Sequence, residues 1–390
     1  MADAVEHALY QYELYFGGLG GQTPPYPISY EGLRRAARDV LDDAAYGYVA
    51  GGASEERTMA ANREAFDRWR IVPRMMVDVA ARDCRTTVLG TELPAPLLLA
   101  PVGVQSIIHD EAEVATAKGA AGSGVPIVLS TAASSTMEDV AEAMGEVPRW
   151  YQLYWPDDRD LAASFVRRAE AAGYTAIVVT LDTKLLAWRP RDLETAYLPF
   201  LHGEGIANYL SDDHFRSTLD QSPEDDPQAA VLKWAQIFSD KKVTWDDIAW
   251  LREQTSLPVV LKGVQHADDA RSAQDHGVDG IVVSNHGGRQ VDGAVGALEM
   301  LPEVRGAVGD DLAVLFDSGI RTGADVYKAV CLGADAVLLG RPYCWGLALG
   351  GAEGVRHVVR TIMAEFDLTM ALTGVTAVDQ LGPERLLDTR

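Results

Sequence analysis

AVLFDSGIRTGADVYKAVCLGADAVLLGRP, residues 313–342, contains one whole repeat of the fold. Two short aliphatic runs, AVLFDSG (313–319) and AVLLGR (336–341), flank a stretch with helical spacing. A run that is apolar at consecutive positions reads as a strand buried on both faces, and strands joined through a helix run parallel. The same pattern recurs upstream as LLLAP (97–101), IVLST (127–131), WYQLYW (150–155), AIVVTLD (176–182), PVVLKG (258–263) and GIVVSNH (280–286). With the first two this makes eight units. Eight strand–helix units predict an α/β protein built as a single closed (β/α)8 barrel, and 390 residues suit such a barrel carrying insertions. An open doubly wound sheet is the alternative, but no GxGxxG turn follows the first strand.

Helix signals between the runs agree with this reading. SSTMEDVAEAM (134–144) places a hydroxyl residue before acids in a first turn. Two segments fall outside the repeat. Residues 1–95 hold helical patterns such as SYEGLRRAARDVLDDAAYGYVAGGA and are expected to form a helical extension that caps and plugs the barrel, which then occupies 96–390. Residues 190–242 interrupt the fourth and fifth units and read as a lid. Its acidic middle, DQSPEDDPQ (220–228), is expected to be mobile, and YLPFLHGEGIANYL (197–210) to pack over something.

A formal charge of −23 argues against nucleic acid and anionic membrane surfaces, both of which select clustered Lys and Arg. Three widely spaced cysteines, Cys84, Cys331 and Cys344, make no CxxC and no zinc spacing, so no metal is expected. With no long apolar run and no basic, apolar leader at the N-terminus, the expected location is the cytoplasm.

In a barrel of this kind the active site lies at the carboxyl ends of the strands. The residues closing the runs there are Tyr154, Asp182 with Arg189 beyond it, Lys262, His286 with Arg289, Asp317, and Gly340 with Arg341. Singly, each has a bland reading as a solvated charge or a satisfied turn residue. Together they bring a histidine, a lysine, two carboxylates and three arginines to one rim of an otherwise acidic protein, which is the pattern of a site. DSGIRTG and GRP place glycines before helices, each with an arginine (Arg321, Arg341), as suits a phosphorylated cofactor.

SNHGGRQ (284–290) resembles the signature of the FMN-dependent α-hydroxy-acid oxidase family. YGYVAGGASEERTMAANREAFDRW, QLY (152–154), TLDTKLLAWRPRD (180–192), LKGVQHADDA and the 317–342 stretch extend the likeness over nearly the whole chain. WRPRD, the long segment after it and DSGIRTG look like the lactate 2-monooxygenase subgroup. The resemblance implies FMN, a small 2-hydroxy acid and O2 as partners, and a homo-oligomer, tetrameric or octameric. It also implies roles: His286 as base with Asp182 beside it; Arg189, Arg289, Tyr48 and Tyr154 on the substrate; Lys262 at the flavin N1 and C2 carbonyl. Gly103, Ser130, Gln152, Thr180, Ser284 and Asp317 would contact the ring and ribityl chain, and Gly319, Arg321, Gly340 and Arg341 the phosphate.

Physical chemistry agrees with those roles. A guanidinium fork suits a planar carboxylate, a neutral imidazole can accept a proton, and a lysine beside flavin N1 stabilises negative charge arising there. Three positions depart from the family's usual residues. Ala132 stands where glycolate-oxidising members often have Trp, suggesting a roomier pocket. Ser318 stands where many have Gly. Gly103 is often Ala, a missing methyl that bears on oxygen access or the flavin environment. The expected reaction is L-lactate with O2 to acetate, CO2 and water. The alternatives are release of a 2-oxo acid with H2O2, a dehydrogenase using another acceptor, or a non-catalytic flavin protein.

Overall fold

The computed structural model describes residues 6–390, so residues 1–5 of the N-terminal extension lie outside the described part. Eight parallel strands close a barrel: β1 (Leu97–Leu99), β2 (Ile127–Ser130), β3 (Arg149–Leu153), β4 (Ile177–Thr180), β5 (Val259–Val264), β6 (Gly280–Val283), β7 (Ala313–Phe316) and β8 (Ala336–Leu339). Closure is made where β8 pairs with β1, in register from Val337↔Leu97 to Leu339↔Leu99. Most strands end before their runs do, the polar residues at the carboxyl end leaving the ladder, whereas β5 keeps Lys262 paired within it. Those departures build the loops that carry the site.

Side chains alternate between two cores, as the period of two dictates. Leu98, Val128, Trp150, Val178, Val260, Val282, Leu315 and Leu338 fill the barrel interior. Their neighbours, such as Leu97, Leu99, Ile127 and Leu129, face the surrounding helices. An antiparallel pair, Thr86–Val88 with Thr91–Leu93, plugs the amino end of the barrel. Val88 and Leu93 join the inner core there, and Trp150 Nε1 donates to Thr91 Oγ1 at 3.0 Å.

The N-terminal helices Tyr30–Val40, Asp43–Ala50 and Arg57–Asp67 lead into this plug, and strand Trp69–Ile71 pairs with Leu386–Asp388 near the other end of the chain. Caps fix where helices start. Thr136 accepts from Asp139 N–H at the head of Met137–Met144, and Thr322 with Asp325 forms a capping box at Gly323–Cys331. None of the described helices is long and apolar enough to cross a membrane.

The 190–242 segment, of which only the acidic middle is expected to be mobile, carries regular structure on both sides of that middle. It folds as short helices, Pro190–Glu194, Ala207–Leu210, Asp213–Ser217 and Pro227–Ile237, with a 3-10 turn at Pro199–His202. Within DQSPEDDPQ, Ser222 holds a turn through Asp225, and Asp226 caps the last helix through Ala229 N–H. Local hydrogen bonds thus outweigh charge repulsion. The segment is fastened by a buried Asp212 that accepts from Ser164 at 2.7 Å and Arg168 at 3.0 Å, and by Asn208, which donates to Thr131 O and accepts from Met137 N–H.

Candidate active site

His286 stands just past β6 with φ +58°, a left-handed backbone that turns its side chain over the barrel mouth. Its Nδ1 lies 2.9 Å from Asp182 Oδ1, beyond β4, and 3.4 Å from Thr183 Oγ1. Among the described residues its Nε2 has no hydrogen-bond partner in the protein. Burial lowers the imidazole pKa below its ordinary value despite the opposing pull of Asp182. Burial alone would raise the Asp182 carboxyl, but His286 and Lys262 bring it below the usual range. The pair therefore rests as carboxylate and neutral imidazole, with Nδ1 protonated toward Asp182 and Nε2 free to take a proton.

Lys262 lies on β5, buried, with Nζ 3.0 Å from both Asp317 Oδ2 and Ser284 Oγ. Burial pulls its pKa down, yet Asp317 and Asp182 more than offset this and hold it raised and charged.

Two arginines face the same mouth. Arg289 donates through Nη1 to the carbonyls of Tyr48 (2.5 Å) and Gly51 (2.8 Å). Arg189 gives Nε to Arg289 O and Nη2 to Gln290 Oε1. No carboxylate pairs with Arg289 among the described residues, and burial, then Arg189, pushes its pKa down to about 9. A cation held this way favours an arriving anion. Tyr154 is pushed well up by burial and stays a neutral phenol.

These groups border one cavity of about 340 Å³. Its lining includes Tyr48, Tyr154, Arg189, His286 and Arg289 together with Gly103, Ser130, Lys262 and Asp317, and the turn residues Gly319, Arg321, Gly340 and Arg341. Gln152, Thr180 and Ser284 are buried at strand ends behind this wall and do not line it. Gln152 Nε2 and Asp182 Oδ2 are buried without partners beside it. Glycine turns after each of the last two strands, at Gly319 and Gly340, border the same cavity, a setting in which free N–H groups can receive an anion.

Two expected residues behave differently from their sequence reading. The Arg341 guanidinium borders the cavity but bonds three carbonyls, Val49 (3.0 Å), Gly51 (2.9 Å) and Gly287 (3.1 Å), tying the N-terminal extension to the His286 loop. Gly103 leaves no spare room. A Cβ there would lie 2.4 Å from the Ala132 carbonyl oxygen, so the missing methyl accompanies a close chain approach.

Sequence reasoning missed several residues of this site. Thr183 touches the base pair, and Asn62 forms a reciprocal amide pair with Asn285 at 2.9 and 2.7 Å, fastening helix Arg57–Asp67 to the loop of His286. Phe200 and Phe238 also line the cavity. The motifs ASEERTMAANRE, SNHGG and TLDTKLLAWRPRD and the aromatic stretch YLPFLHGEGIANYL contain Asn62, Asn285, Thr183 and Phe200, but they mark conspicuous segments without showing which side chains meet. Among the described residues no group of His, Cys, Asp and Glu is placed to hold a metal.

Residues 37–388 match the FMN-dependent dehydrogenase family. An FMN-dependent alpha-hydroxy acid dehydrogenase from Penicillium citrinum is 45% identical over 378 residues, covering 96% of this chain and 94% of its own. An L-lactate oxidase from Lysinibacillus sphaericus is 40% identical over 357 residues, covering 92% of each. A crystal structure of mandelate oxidase superposes with a TM-score of 0.81 at 39% identity, covering 93% of this chain and 98% of the other. A cavity bordered by a histidine paired with a carboxylate, a buried lysine and two arginines thus coincides with full-length likeness, and the chain belongs to the FMN-dependent dehydrogenase family, whose cofactor it uses to oxidise 2-hydroxy acids.

Proposed function

We propose that the substrate is a small L-2-hydroxy acid, L-lactate being the best candidate, and that with O2 the final products are acetate, CO2 and water. The observation that carries the chemistry is a neutral imidazole with a free Nε2 beside two arginines with unused donors. Arg289 and Arg189 hold the carboxylate, Tyr48 adds a donor, and Tyr154 lies near the hydroxyl. With the acid so oriented, His286 Nε2 takes the proton lost from the substrate. Asp182 then faces an imidazolium and stabilises it.

FMN, when bound, accepts the two electrons leaving C2. Gly103, Ser130 and Asp317 would hold its ring and ribityl chain, backed by Gln152, Thr180 and Ser284, and Gly319, Arg321 and Gly340 its phosphate end, beside Arg341. The buried Lys262 cation, which lines the same cavity, would neutralise negative charge arising on the ring.

Product fate turns on residence behind the 190–242 segment. Phe200 stacks on Trp234 at 4.8 Å, and Phe238 meets Tyr154 at 5.0 Å, so the segment is a packed wall continuous with the substrate end. A 2-oxo acid retained there together with H2O2 loses CO2: pyruvate and H2O2 give acetate, CO2 and water. The likeness to L-lactate oxidase favours a second reading, in which pyruvate and H2O2 leave separately. Product analysis after aerobic turnover of L-lactate separates them. Acetate and CO2 with little free H2O2 is expected; one pyruvate and one H2O2 per O2 would overturn the first reading and establish the second.

We also take the protein to act as a cytoplasmic homo-oligomer, tetrameric or octameric as in the family it resembles. Its three cysteines are buried and free, and Tyr15, Phe16, Met75 and Met76 are exposed apolar surface. Sedimentation at micromolar concentration would detect a monomer.

A further inference from the structure

Ser318 follows β7 with φ +83°, a backbone conformation that glycine adopts freely and serine seldom does. A side chain persists in such a position where the surrounding structure makes use of it. Here the hydroxyl is fully engaged. Its oxygen accepts the N–H groups of Asn285 (3.2 Å) and Gly287 (3.0 Å), and its proton is donated to Asp317 Oδ1 (2.8 Å). One proton and two lone pairs are all a hydroxyl possesses.

The residues it grips are the two that flank His286. The N–H of His286 itself donates to Ser284 Oγ at 3.0 Å, and the same oxygen accepts from Lys262 Nζ, also at 3.0 Å. Lys262 in turn pairs with Asp317. A closed ring therefore runs from Lys262 through Asp317, Ser318, the His286 loop and Ser284 back to Lys262. Ser318 is the member that joins the lysine–carboxylate pair to the loop, and a glycine there would suit the backbone while leaving two N–H groups and one carboxylate oxygen without that partner.

We infer that Ser318 is a positioning residue for the reaction: its hydroxyl fixes the left-handed backbone of His286, and with it the direction of the imidazole, relative to the Lys262–Asp317 pair. This rests on the reading of His286 as the base.

The test uses the FMN-loaded enzyme with Ser318→Gly, Ser318→Ala and, as reference, His286→Gln. Glycine removes the hydroxyl and relieves the backbone; alanine removes the hydroxyl and keeps the strain. Both are expected to slow anaerobic flavin reduction by L-lactate by about 10- to 100-fold, the range seen when a partner that orients an active-site ligand is lost. The Gly variant should keep FMN and melt no lower than the parent, with kcat reduced, KM nearly unchanged because Arg189 and Arg289 are untouched, and the acid limb of its pH profile displaced. Parental reduction rate and pH profile in Ser318→Gly would overturn the proposal, as would a rate loss that merely follows lost FMN or lowered melting temperature. Normal reduction in His286→Gln would instead remove the reading on which it rests.

Discussion

At the scale of residues, the His286–Asp182 contact sets the working pH. The imidazole must be neutral to accept a proton, and burial holds its pKa below the ordinary 6.5. The rate of flavin reduction should therefore rise with pH along a limb centred below that value and stay level above it. Asp182 raises the His286 pKa, so Asp182→Asn should move the limb further to acid. It should also cost about 10²- to 10⁴-fold in plateau rate, because the imidazolium loses its partner and an amide donor can favour the wrong tautomer. A pH–rate series under single-turnover conditions checks both; an unmoved limb would separate Asp182 from the base. His286, Asp182, Lys262 and Arg289 were all legible as polar ends of apolar runs. Their pairings were not, since a residue type reveals what it can bond and not which group it meets.

At the scale of elements, the 190–242 segment behaves as core. Gly205, at φ +73°, lets it pass so close that a Cβ would lie 2.6 Å from Val104, 2.9 Å from Phe200 and 3.0 Å from the Ala132 oxygen. Phe200 is 5% exposed and borders the cavity, so Phe200→Ala should destabilise the fold by about 3–5 kcal/mol and widen the substrate end. Two measurements follow: kcat/KM for mandelate relative to L-lactate should rise, and the share of O2 recovered as H2O2 should increase as product escapes sooner. An unchanged ratio and unchanged peroxide would show that this aromatic does not border the bound acid. The aromatic residues of YLPFLHGEGIANYL announced packing, but they do not all share one duty. Tyr209 is buried against Phe165 at 4.9 Å, away from the mouth, whereas Phe200 reaches it.

At the scale of the whole molecule, the residues lining the cavity come from loops after strands all around the barrel, so FMN held by them would be linked to folding. Protein stripped of FMN should melt at a lower temperature and lose activity, with both restored by added FMN as mass action requires: a ligand at 100 times its Kd stabilises by about 2.7 kcal/mol. A chelator should change neither property; loss of activity with EDTA would point to a metal the described residues give no place for. The strand count, the barrel, the rim of titratable groups and the family signature were determined by the sequence alone, because period-two burial, glycine turns and strand-end polarity are written locally. The tertiary structure alone decided that Arg341 bonds three carbonyls, that Asn62 pairs with Asn285, that Ser318 clamps the loop of His286, and that an acidic insertion is a wall. Such contacts join residues as much as 292 positions apart. Their partners are fixed only when barrel closure brings the strand ends together and burial leaves each polar group in need of one.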